Sequence, residues 1–168
     1  MTYQIVPIAE QHISSFREAV DVVARERKFL AFLEAPPLED MRRFVLDNIE
    51  RRHPQFVVSS ANTGNTVVGW CDVIPNQTRA VYAHCGTLGV GLLPAYRGKG
   101  IGRKLMQRTI DAAFALGITR IELTVREHNT NAIALYKSLG FEVEGFHRNA
   151  VRIERQYENL YSMALLSR

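Results

Sequence analysis

The stretch LLPAYRGKGIGRKLMQRTI, from Leu92 to Ile110, concentrates flexible residues and positive charge where a helix should begin. Gly98, Gly100 and Gly102 alternate with other residues. Arg97, Lys99, Arg103, Lys104 and Arg108 put five cations within twelve residues that contain no acid. A helix N-terminus carries unsatisfied N–H groups and roughly half a positive charge. Glycines let several such groups converge on one anion with no Cβ in the way. The chemistry implied is phosphate binding. Two commoner phosphate motifs do not fit. The dinucleotide fingerprint GxGxxG needs glycine where Arg103 stands, and the Walker sequence GxxxxGK[ST] needs Ser or Thr where Gly100 stands.

The charge belongs to this one place. The chain of 168 residues has a formal net charge of +4, and removing those five cations leaves −1. A short positive spot suits a small phosphorylated ligand better than a duplex, which presents charge along its length, so no nucleic-acid partner is expected. A composition of 46% hydrophobic and 23% charged residues is that of a globular chain. No apolar run approaches the roughly 20 residues that span a bilayer, and MTYQIVPIAEQHISS lacks the regions of a signal peptide. No membrane association is expected. Cys71 and Cys85 share no CxxC spacing and read as buried free thiols in a reducing cytoplasm. None of the five histidines has ligand spacing, so no metal is expected.

The elements that must position the loop follow from periodicity. A strand is predicted at Tyr3–Ile8 and a helix from Glu10 to Arg27, with Ile13, Phe16, Val20 and Val23 at helical spacing. The stretch KFLAFLEAPP ends in two prolines and reads as a loop. Met41, Phe44, Val45 and Ile49 predict the inner face of a helix over Leu38–Arg51. A meander follows: QFVVSSA, the turn NTGN, TVVGWCDVI, then a strand over residues 81–93. A helix is expected at Arg103–Leu116, closed by Gly117, then the strand IELTV. A short helix capped by Asn129 or Thr130 ends at Gly140, and FEVEGFH and NLYSMALL form the last strands. The order β-α-α-β-β-β-α-β-α-β-β predicts one α/β domain over residues 1–168, a mixed sheet of about seven strands with helices on its faces. The strand at 121–125 is reached through a crossover helix and should run parallel to the strand at 81–93.

Arg97-Gly98-Lys99-Gly100-Ile101-Gly102 resembles the acyl-CoA-binding motif of the GNAT superfamily of N-acetyltransferases. A second stretch, VREHNTNAIALYKSLGF, resembles the same family at Val125, Asn131, Ala134, Tyr136 and Gly140-Phe141, with Asn131 standing 34 residues beyond Arg97. The resemblance runs from about Gly86 to Phe146. It implies a GNAT-type sheet with splayed parallel central strands and acetyl-CoA as co-substrate. The diphosphate would lie on residues 97–102, and the pantetheine arm would lie along Leu88, Gly89 and Val90 beside Asn131. Parted strands expose backbone groups that a peptide-like arm can satisfy. By the same resemblance Tyr136 gives a proton to the departing thiolate, a sensible role for a phenol that stays protonated near neutral pH. Backbone N–H groups near Leu88–Val90 would face the oxyanion.

The general base stays open. Several branches carry an acid three positions before the residue matching Val90; here Thr87 stands there. His84, Glu122, Glu127 and a water chain are the alternatives. The family architecture puts the acceptor amine beside the loop over Lys28–Pro37, where Phe29, Phe32 and Glu34 are candidates, and beside Tyr157, Glu158 and Tyr161 of the last hairpin. The overall look is close to bacterial members acting on amino acids or small amines, and to those modifying ribosomal-protein N-termini. A cytoplasmic, homodimeric N-acetyltransferase is therefore expected, acting on a primary amine in a ternary complex. The alternative is a non-catalytic CoA-binding regulatory module.

Overall fold

The computed structural model describes residues 2–168. Along the chain lie β1 (Tyr3–Pro7), α1 (Ile13–Arg25), α2 (Leu38–Glu50), β2 (Gln55–Ser60), β3 (Thr66–Pro75) and β4 (Cys85–Leu92). There follow α3 (Ile101–Ala115), β5 (Arg120–Arg126), α4 (Thr130–Ser138), β6 (Glu142–Ile153) and β7 (Gln156–Leu166). The expected element order holds. The strands form one sheet in the order β1-β2-β3-β4-β5-β7-β6. Among the described residues only β4 and β5 pair in parallel, because α3 carries the chain back across the sheet between them. That ladder pairs Cys85, Gly86 and Thr87 with Arg120, Ile121 and Glu122 and then stops. From Leu88 to Leu92 β4 pairs with β3 alone, so the two central strands part there.

Strand alternation divides β3 between two cores. Cys71 and Val73 join Leu105, Met106, Ile110 and Tyr136 under α3 and α4. Val67 and Trp70 turn the other way, to Phe16, Val20, Val23, Met41 and Val45 of α1 and α2. The Phe16 ring meets Trp70 edge-on at 5.8 Å, an arrangement that aromatic quadrupoles favour. In α2 the buried seam is narrower than the periodicity implies. Phe44 and Ile49 are 37% and 40% exposed, and Asn48 is buried with Met41 and Val45 instead. Its amide is satisfied there: Nδ2 donates to Gln55 Oε1 at 2.9 Å and Oδ1 lies 3.1 Å from His53 Nδ1.

Two boundaries near the glycines differ from expectation. The strand expected over residues 81–93 starts only at Cys85, because Ala80–Tyr82 winds into a 3-10 turn. The helix expected from Arg103 starts at Ile101, since Gly100 at φ +75° takes the left-handed conformation that brings the chain onto the helix axis.

Candidate active site

The glycine turn ends β4 and opens α3. Gly98 and Gly100 sit at φ +71° and +75°, and a Cβ on either would meet nothing within 4 Å. Conformation therefore demands glycine at both positions, and the space above them is clear. Gly102 lies in the first helical turn, where a Cβ would press to 3.3 Å from Leu92 Cδ1. The first backbone bond of α3 runs from Lys104 N–H to the Gly100 carbonyl at 3.4 Å. The N–H groups of Ile101, Gly102 and Arg103 thus have no intrahelical acceptor. A cavity of about 510 Å³ opens over this turn. Its wall continues along Val90, Gly91 and Leu92 of β4, across to Asn131 and Tyr136 of α4, and over Val23 and Phe29 from the opposite face of the sheet. Residues from both faces border one space because β4 and β5 have parted.

The five cations do not act as one cluster. Arg97 borders the cavity, but its guanidinium is held by Glu26: Nη1 lies 2.9 Å from Oε2 and Nη2 2.6 Å from Oε1. Nε donates to the Leu92 carbonyl at 2.9 Å, and the group stacks over Phe29 at 4.9 Å. A bidentate carboxylate pair thus occupies the fork of Arg97, a residue expected at the diphosphate, and it locks the turn to the end of α1. Arg97 in turn holds the Glu26 carboxyl below its usual range, the Arg97 hydrogen bond being the main cause. Arg108 donates to the Ile5 carbonyl at 2.6 Å and Lys104 reaches the Tyr3 hydroxyl, both on the β1 side. Arg103 borders the cavity and donates to Ser138 Oγ at 2.7 Å; Lys99 Nζ donates to the Ala95 carbonyl at 2.7 Å.

On α4, Asn129 accepts from Ala132 N–H at 3.3 Å and is the cap. Asn131, two residues on, borders the cavity. Tyr136 is buried with its ring centroid 5.9 Å from that of Phe141, and burial pushes its phenol above the ordinary value. Val90 borders the same space; Leu88 points into the core under α3. Gly89, on the other face, lies against Asp72.

The sequence-derived base candidates are not brought to this cavity. His84 is exposed and precedes β4, its ring 3.4 Å from Cys85 Sγ. Six residues of extended chain, about 20 Å, separate it from Val90. Glu122 is engaged by Arg120 Nε at 3.2 Å. Glu127 Oε2 accepts from Asn159 at 2.8 Å. Of the acceptor candidates, Phe29 borders the cavity; Phe32 is 51% exposed and Glu34 reaches only Arg25, at 3.5 Å. Tyr157 is exposed on the hairpin and Tyr161 packs on Phe146 at 5.1 Å.

Periodicity passed over two residues. Arg126 is buried, donating to the Arg27 and Leu30 carbonyls at 2.7 and 2.6 Å and to Glu158 at 3.3 Å, so it ties the aromatic loop to β5 and β7. Asp72 is the one acid in β3, a signal visible in TVVGWCDVIP.

An α/β sheet with a glycine turn at the mouth of two parting parallel strands defines the class, and comparison with known proteins agrees. Residues 22–141 match the acetyltransferase (GNAT) family, and the chain belongs to that family. It is 36% identical over 107 residues to the N-alpha-acetyltransferase RimI of Mycobacterium tuberculosis, a match covering 63% of this chain and 65% of that protein. It therefore spans just under two thirds of that relative's length. Spermidine N(1)-acetyltransferase of Escherichia coli is 29% identical over 141 residues, 83% of this chain and 70% of that one. The fold is also that of a phosphinothricin acetyltransferase from Sinorhizobium meliloti, solved in complex with acetyl-CoA. Its TM-score is 0.90 at 20% identity, covering 99% of this chain and 89% of the other.

Proposed function

We propose that the protein transfers an acetyl group from acetyl-CoA to a primary amine, by direct attack while both substrates are bound. One observation carries the reading. A single cavity joins the open N–H groups of α3, the unpaired edge of β4 and the Tyr136 phenol, with backbone glycines where bulk would intrude. The diphosphate of CoA is assigned to the N–H groups over Gly98–Gly102, where a helix start favours an anion. The pantetheine arm follows the parted edge of β4 beside Asn131, and its thioester reaches Tyr136. N–H groups of β4 freed by the splay stabilise the oxyanion without reorganising. The departing thiolate takes its proton from Tyr136, whose buried phenol holds that proton firmly at neutral pH. Holding amine and thioester together supplies much of the rate. The acceptor class rests on the names of the relatives, one an N-alpha-acetyltransferase and one a spermidine N(1)-acetyltransferase.

The test is to incubate the purified protein with acetyl-CoA and a panel of spermidine, free amino acids and peptides with free N-termini. Thiol release and product mass are followed together. A product heavier by one acetyl group, formed in step with thiol, is expected for at least one acceptor. Tight CoA binding without product across the panel would overturn the reading in favour of a non-catalytic CoA-binding module.

A further inference from the structure

Asp72 stands among nine uncharged residues of β3. It is 8% exposed, and desolvation alone moves its titration, up to about 7, with no hydrogen bond or neighbouring charge contributing. A buried carboxylate without a partner is costly, so fold stability does not account for an acid at this position. Because Cys71 and Val73 face α3, alternation turns Asp72 to the opposite face. There its cross-strand neighbours are Gln55 of β2 and Gly89 of β4. Gln55 Oε1 accepts from Asn48 while its buried Nε2 has no hydrogen-bond partner, and Gly89 offers bare backbone: a Cβ there would lie 3.2 Å from Asp72 Oδ1. The carboxylate therefore lies over Gly89, two residues past Thr87, the last β4 residue paired with β5. Thr87 of β4 and Thr124 of β5, which alternation puts on this same face, are exposed, whereas Asp72 is buried and does not line the cavity over the glycine turn. The charged groups of the same face are engaged elsewhere, Glu122 with Arg120 and Arg126 with Glu158, while His53 lies against Asn48. Tyr136 belongs to the core on the far face.

From this placement we infer that Asp72 is the general base that deprotonates the acceptor amine. The inference rests on the acetyl-transfer reading and adds the group it lacked. A thioester lying in the gap turns its sulfur toward Tyr136 on one face and its carbonyl carbon toward an amine arriving on the other. The ammonium gives one proton to the Asp72 carboxylate, and the freed lone pair forms the C–N bond as the carbonyl electrons move to oxygen. Collapse breaks the C–S bond, and the thiolate takes the Tyr136 proton. The second N–H proton restores the phenol, and Asp72 releases its proton to solvent. The products are amide, free thiol and one proton. A carboxylate titrating near neutrality is matched to this task.

The experiment measures kcat/KM for the best acceptor of the panel between about pH 6 and 11, a span that includes the reference pKa of both α-amino and alkyl amines, in wild type and Asp72→Asn. For wild type, kcat/KM should rise to a plateau above about pH 7. Asp72→Asn should lose about 100-fold at neutral pH and recover as free amine appears at high pH. Its CoA affinity should be unchanged and its melting temperature no lower, since a desolvated charge has been removed. Wild-type rate in Asp72→Asn at neutral pH, or an equal loss at every pH, overturns the assignment while leaving acetyl transfer intact. Wild type that acetylates no amine overturns the acetyl-transfer reading, and the role of Asp72 with it. Gly89→Ala supplies a second check, because its methyl crowds Oδ1 without removing it. Added desolvation should move the midpoint of the rise to higher pH, and an unmoved midpoint in folded protein counts against the base.

Discussion

Arg97 and Glu26, 71 positions apart, form a two-pronged ion pair that fastens the glycine turn to the end of α1. The pair is partly buried, and the same guanidinium covers Phe29 and holds the Leu92 carbonyl. Arg97→Ala should therefore cost about 1–3 kcal/mol, the range for a hydrogen-bonded charge pair, read by urea denaturation. The sign of its pH dependence follows from Glu26. Its folded carboxyl sits below the unfolded value, so the contribution is complete above the usual carboxylate range and is lost as acid protonates Glu26. The stability gap between wild type and Arg97→Ala should be widest at neutral pH and narrow in acid. A gap independent of pH would show that packing on Phe29, not charge, does the fastening.

Gly98, Gly100 and Gly117 share a left-handed backbone with open space where a Cβ would go. Alanine at any of the three should cost about 1 kcal/mol of strain. Gly117 follows the C-terminus of α3, far from the cavity, and so serves as an internal control. Calorimetric titration with CoA should give at least tenfold weaker binding for Gly98→Ala and Gly100→Ala, and unchanged binding for Gly117→Ala. Equal affinity in all three would remove the diphosphate from this turn.

How far the sequence was readable depends on the range of the interactions involved. Element order follows from local periodicity, and the glycine turn was visible because left-handed backbone selects glycine whatever surrounds it. The parallel pairing of β4 and β5 followed from the crossover helix, whereas their parting was expected only from the family resemblance. Val81 and Tyr82, in contrast, have strand-forming side chains but lie 69% and 48% exposed on a 3-10 turn, which detaches His84 from the strand. Positive charge near Gly98 was equally plain, but a carboxylate at Glu26 decides where Arg97 points, and no local pattern joins residues so distant. The acid at Asp72 was visible as a residue type. Its lack of a partner depends on what β2 and β4 set beside it, which only the assembled sheet determines.

Both thiols are buried. Desolvation raises the Cys71 thiol well above its ordinary value, and Cys85 lies under the His84 ring. Thiolate is the reactive form, so a chromogenic disulfide should react slowly with folded protein and promptly with two thiols after denaturation. Rapid reaction of native protein would mean that the β3–β4 region opens readily. The same measurement sets the background against which CoA release is read.

Tyr136→Phe separates the phenol's proton from its ring. The ring packs against Phe141 within the buried cluster that includes Leu105 and Ile121, and phenylalanine keeps those contacts. Melting temperature and CoA affinity should therefore stay near wild type. Turnover should fall by about 100-fold, the lower end of what a positioned acid contributes. The loss should be smallest for acyl donors whose leaving thiol is more acidic, because a stable thiolate needs no proton as it departs. A uniform loss across donors would mean that the hydroxyl positions the thioester rather than protonating its sulfur. An unchanged rate would remove Tyr136 from the chemistry, leaving it as a core residue beneath the cavity.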